Sequence, residues 1–87
     1  MTEVVVEFFG IPRQRAGCME LRVPARTAAE ALAVVEQRCP QLAGLLAADR
    51  LDPLFLLSID GVRFVDDLGV SLRPGARLLL LSADAGG

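Results

Sequence analysis

The sequence predicts an α+β domain in which a mixed sheet of four to five strands packs on one main helix. Three observations carry this. Short segments with an apolar period of two open and close the chain, Glu3 to Phe9 and Arg77 to Ser82, as half-buried strands require. Between them, Thr27 to Cys39 places apolar residues at helical spacing behind an N-terminal cap. Finally, Asp60-Gly61 stands between two apolar runs, a strong signal for a tight hairpin.

In the first strand, Val4, Val6 and Phe8 face a core, with Glu3, Val5, Glu7 and Phe9 on the other side. Gly10-Ile11-Pro12 breaks the strand, and Arg13 to Gly17 reads as a polar connection. Met19, Leu21 and Val23 then alternate with Cys18, Glu20 and Arg22 as a second strand closed by Pro24. The two strands make a hairpin with a loop of about eight residues. Thr27-Ala28-Ala29-Glu30 matches a capping box, with Thr27 as the cap and Glu30 reaching back. Ala28, Ala31, Leu32, Val35 and Cys39 share one face of the helix that follows, and Pro40 bars its continuation. Leu42 to Ala48 suggests a further short turn or helix. Leu54 to Ile59 is a third strand and Val62 to Val65 a fourth, while Leu68 and Leu72 plug the core from a loop. Arg73-Pro74-Gly75-Ala76 makes a turn. In the last strand Leu78 and Leu80 face inward, and Leu79 and Leu81 outward.

A helix between the second and third strands packs across one sheet face, and the last strand inserts parallel beside the first at the centre. That arrangement is a β-grasp, with residues 1–82 as the domain and 83–87 as a flexible tail ending in Gly-Gly. Phe9, Leu79 and Leu81, joined by Val65, then form an outward apolar patch beside the root of the tail. Exposed patches of this kind mark partner sites.

Composition narrows the function. The chain has 87 residues, 53% of them hydrophobic, ample for the core of one small domain. All nine basic residues are arginine, against eleven acidic ones, and there is no lysine, histidine, tyrosine or tryptophan. A nucleic-acid binder would show a basic patch with aromatics. Without histidine or lysine, the usual general bases and Schiff-base formers are missing. Cys18 and Cys39 stand apart with no metal-ligand spacing, and Cys39 on the apolar helix face is expected in the core. No apolar run approaches the roughly eighteen residues of a membrane span. Met1-Thr2-Glu3 has no basic region ahead of an apolar one, so the expected compartment is the cytoplasm. In the tail, Gly86-Gly87 offers backbone freedom and passage through a slot too narrow for a Cβ.

Phe8-Phe9-Gly10 at the end of the first strand, the Asp60-Gly61 hairpin, Leu72-Arg73-Pro74-Gly75 before the last strand and Gly86-Gly87 together resemble the ubiquitin-like sulfur carriers. Within these the chain is most similar to the MoaD type, the small subunit of molybdopterin synthase, more than to the shorter thiamine carrier ThiS. Phe8 to Gly17 resembles the "FFA-x-x-R-x-x-x-G" stretch of MoaD proteins. Arg73 and Arg77 depart from an acidic turn usual there, and Ser82-Ala83-Asp84 from a tail that often carries prolines.

The resemblance implies a cosubstrate more than a catalyst. An adenylating enzyme related to ubiquitin-activating enzymes would join the Gly87 carboxylate to AMP, using ATP and Mg²⁺, and persulfide sulfur would convert it to a thiocarboxylate. This chain itself would bind no cofactor or metal. A molybdopterin synthase large subunit would then receive the tail, with Gly86 letting it pass and Phe9, Val65, Leu79 and Leu81 docking each partner in turn. Alternatives are a carrier for thiamine, cysteine, tRNA thiolation or a specialised metabolite, a protein modifier joined through Gly87, and a β-grasp adaptor.

Overall fold

The alternation of Glu3–Phe8 becomes strand β1, with Val4, Val6 and Phe8 fully buried, in a computed structural model that describes residues 2–44, 46–47 and 50–83. Helix α1 (Ile11–Ala16), strand β2 (Glu20–Pro24) and helix α2 (Ala28–Arg38) follow. After a 3₁₀ turn at Pro40–Leu42 come the short strands β3 (Leu46–Ala47) and β4 (Arg50–Leu51), then β5 (Phe55–Ile59), β6 (Arg63–Phe64) and β7 (Arg77–Ser82). Five strands form one sheet in the order β2-β1-β7-β5-β6. β1 and β7 run parallel, from Val5 opposite Arg77 to Phe8 opposite Leu80. The other neighbours in this sheet are antiparallel, and β3 and β4 pair as a separate ribbon.

The core lies between one face of this sheet and α2. Ala28, Ala31, Leu32, Val35 and Cys39 from the helix join Val4, Val6, Phe8, Leu57, Leu78 and Leu80 from the sheet in one cluster. Leu68 and Leu72 close it from the long loop before β7, each under a tenth exposed. That loop is tied to the start of α2: Ala29 N–H donates to the Leu68 carbonyl (2.8 Å) and Leu72 N–H to the Arg26 carbonyl (2.8 Å). The cap forms as expected, with Glu30 N–H donating to Thr27 Oγ1 at 3.2 Å. Its reciprocal half is shifted, because Glu30 Oε1 accepts from Arg26 N–H (2.7 Å), one residue earlier than in a standard box.

Three local expectations change. Arg13 to Gly17 is not a loop but lies in α1 and its cap. Pro12 occupies the first turn, and Gly17 ends the helix at φ 75° with its N–H on the Arg13 carbonyl (3.0 Å). Proline near the start and a left-handed glycine at the end are helix punctuation, but six residues are too few to display a period. The segment after α2 keeps a turn through Leu42 to Gly44, as one alternative expected, but then forms β3 where the turn or helix was expected to run on; Ala48 and Leu45 lie outside the described residues. Met19 precedes β2 and is 65% exposed. Its carbonyl still accepts from Phe8 N–H (2.8 Å), so the ladder reaches it while the core does not.

Leu32 and Leu80 have no exposed surface. Replacing either with alanine is expected to cost about 2–5 kcal/mol, and Thr27→Ala about 1 kcal/mol through the lost cap, both read from urea unfolding midpoints.

Candidate functional site

β7 is held at both ends. At its start, the Arg73–Ala76 turn closes through Ala76 N–H on the Arg73 carbonyl (3.1 Å), with Gly75 at φ 80°. Gly75 N–H donates to the Glu3 carbonyl (2.8 Å) and Val5 N–H to the Ala76 carbonyl (2.9 Å). On the other flank Asp60 exchanges two bonds with Arg77: its N–H donates to the Arg77 carbonyl (2.7 Å), and its Oδ1 accepts from Arg77 N–H (3.0 Å). At the far end Phe9 N–H donates to the Leu80 carbonyl (3.0 Å), and Ala83 N–H to the Leu54 carbonyl (2.7 Å). The chain therefore leaves the sheet at Ala83, braced by β1 on one side and the start of β5 on the other. Gly87, the residue expected to react, and Gly86, expected to let the tail pass, lie outside the described residues with Asp84 and Ala85.

The outer sheet face converges on this exit. One step past Phe8 and Leu80 the parallel ladder sets Phe9 level with Leu81, and Leu79 stands beside Glu7. All three apolar side chains are half-buried, so they keep surface that a partner can cover. Leu56 is opposite Leu81, and Leu54 shares its face through the bond to Ala83; they are 38% and 66% exposed. Phe64, 67% exposed, extends the patch across Ser58.

Val65 is placed differently. It donates to the Leu57 carbonyl (2.8 Å) and packs against the core, on the inner face. The hairpin explains this. Asp60 (φ 54°) and Gly61 (φ 70°) form the turn expected of an Asp-Gly pair, closed by Val62 N–H on the Ile59 carbonyl (3.0 Å). Val62 is then left over, and Arg63 faces Ile59. One extra residue moves every later side chain to the opposite face, so Phe64 takes the outward place expected of Val65. Leu54 and Leu56 escaped sequence reading because Leu54-Phe55-Leu56-Leu57 is apolar throughout and shows no period. Counting pairs outward from Ser82 would have found them.

Besides Val5 and Ser58, the outer face carries charge. Arg77 bonds Glu7 and lies 3.6 Å from Glu20; the Glu7 bond chiefly holds its guanidinium charged, pushing its pKa up. Asp60 is held below the usual carboxylate range, first by the Arg77 N–H and then by the Arg73 guanidinium at 3.2 Å. Burial raises the Cys39 thiol, with the neighbouring Cys18 adding to it. Among the described residues no group of acidic or cysteine side chains is arranged to hold a metal, and no helix is long and apolar enough to cross a membrane.

Neither a protein-family model nor a curated protein matches the chain. Solved structures do. The small archaeal modifier protein 1 of Methanosarcina acetivorans superposes with a TM-score of 0.84 at 22% identity, covering 100% of this chain and 98% of that one. The chain has the ubiquitin-like β-grasp fold. A chain of the BexX/CysO complex of Amycolatopsis orientalis shares this β-grasp with a TM-score of 0.80 and 24% identity, over 97% and 99% of the two chains. A chain of the complex between subunits 1 and 2 of the molybdopterin-converting factor of Helicobacter pylori follows at 0.70 and 22%, over 99% and 100%. In each case the β-grasp is matched over nearly its whole length.

Asp60 titrates lower when folded than unfolded, so its contribution to stability is present above about pH 4 and is lost as the pH falls through the lowered value. Asp60→Asn, which tolerates the left-handed turn, should be less stable than the wild type at neutral pH. The gap should narrow below about pH 4, as read by urea unfolding across pH. Cys39 is buried and Cys18 half-buried, so alkylation of the folded chain at pH 8 should label Cys18 first, as peptide mapping would record.

Proposed function

We propose that this β-grasp is a sulfur carrier, with Gly87 as the residue activated and Gly86 giving its carboxylate passage into a partner's active site. The observation that carries the reading is the convergence of Phe9, Leu79, Leu81, Leu54 and Leu56 on Ala83, where the tail begins. A docking surface placed there would bring the residues that follow Ala83 to a partner, and such a carrier needs no catalytic side chain of its own. An adenylating enzyme of the ubiquitin-activating class, using ATP and Mg²⁺, would join the Gly87 carboxylate to the α-phosphate of ATP, releasing pyrophosphate and leaving an acyl-AMP. A persulfide sulfur would displace AMP, and a thiol would cleave the remaining S–S bond to leave the thiocarboxylate.

The acceptor proposed is the large subunit of a molybdopterin synthase, in molybdenum cofactor biosynthesis. Two observations support it: the Phe8 to Gly17 stretch, and the fold shared with a chain from a molybdopterin-converting factor complex. Two complexes among the structural neighbours support docking on a partner protein in general. In the cytoplasm, where such chemistry would operate, the two partners would compete for one face. A second reading, protein modification through Gly87, is favoured by the likeness to a protein named a small archaeal modifier. It would leave high-mass covalent conjugates in cells, which a carrier need not.

Incubation with an adenylating enzyme, ATP and a sulfur donor should exchange one oxygen for one sulfur in the intact chain. Alkylation should then map the sulfur to the C-terminal peptide, with no product from a Gly87 deletion or from a chain extended beyond Gly87. An unmodified chain, with the enzyme active on another carrier, would overturn the reading. Phe9→Asp and Leu81→Asp should each weaken partner binding about tenfold or more, as expected when a hot spot is lost, measured by titration calorimetry.

A further inference from the structure

Phe9 is the first residue after β1, half-buried and tied to β7 by its backbone bond to Leu80. Helix α1 adds a further restraint. Arg13 donates from Nε to the Phe8 carbonyl at 3.0 Å, and its guanidinium lies over the Phe9 ring, 5.5 Å from the centroid. A planar guanidinium suits both contacts at once, since it stacks on an aromatic face while its edge donates hydrogen bonds. Among the described residues Arg13 makes no ion pair, so neutralising a local carboxylate does not account for its position. Gly10 (φ 62°) and Gly17 (φ 75°) bracket the helix that returns Arg13 to the strand it follows.

We propose that Arg13 is a positioning residue for docking: it clamps the Phe9 ring in place beside the tail root before a partner arrives. An aromatic anchor binds best when its conformation is set in advance, because ordering it on association costs affinity. The proposal rests on the outer face being the docking surface. Arg13 acts through Phe9, and α1, too short to be a stable helix alone, serves to hold the clamp.

The test is pyrophosphate exchange by an adenylating enzyme with ATP and Mg²⁺, using full-length wild type, Arg13→Gln, Arg13→Lys, Phe9→Leu, Phe9→Asp and the Arg13→Gln/Phe9→Leu pair. Thermal melts would confirm that each variant is folded. Arg13→Gln should raise KM for the carrier about five- to tenfold with kcat unchanged, on the scale of a lost cation–π contact. Arg13→Lys should recover part of the loss. With Phe9→Leu already present, Arg13→Gln should change KM less than about twofold, the mark of coupled residues. A full loss in the Phe9→Leu background would show that Arg13 touches the partner directly and would overturn the proposal, as would an unchanged KM in Arg13→Gln. If Phe9→Asp leaves KM unchanged, the docking reading itself fails, and the proposal with it.

Discussion

The parallel pairing of β1 with β7 is the contact on which the rest of the molecule depends. It joins the chain's first and last strands, so the intervening helix, hairpin and loops must fit within a closure already fixed at its ends. β7 lies between β1 and β5, and its inward Leu78 and Leu80 are completely buried. Because side chains alternate along a strand, the register that buries those two leucines also turns Leu79 and Leu81 outward. One set of backbone bonds thus builds the core and presents the apolar outer face. Contacts of such long sequence separation form against a loop-closure cost, and the apolar surface buried by Leu78 and Leu80 helps offset it.

How well each element could be read from the sequence follows from its contrast. Glu3 and Glu7 alternate with Val4, Val6 and Phe8, so β1 and its two faces were plain. The helix face from Ala28 to Cys39 was equally plain, framed by Thr27 and Pro40. Helix α1 was hidden by its length, since Ile11 to Ala16 makes less than two turns. Val65 was assigned to the wrong face because an Asp-Gly turn announces a hairpin without saying whether a residue is left over. At the site, Phe9, Leu79 and Leu81 were legible from alternation alone. Leu54 and Leu56 required the pairing with β7, and Arg13 required the three-dimensional return of α1.

The division of labour in the proposed carrier follows from this layout. In that proposal the part of the folded body is to give the tail direction. Charged residues occupy the end of the outer face near the start of β7, where Glu7, Glu20 and Arg77 satisfy one another. Apolar residues occupy the end near Ala83. A partner that covers the apolar end therefore meets the tail at once, without having to strip water from the ion pairs.

The same geometry decides how the molecule bears a load. A partner that grips the tail and draws it inward pulls along the axis of β7. The strand is bonded on both flanks, to β1 and β5, and Phe9 and Leu54 hold its last residues. Traction in that direction strains the flanking bonds together in shear, whereas a pull across the sheet would open them one after another. In the proposed carrier, a strand held on both flanks would resist being drawn out with the tail, so the body would act as a stop that limits how far the tail is threaded.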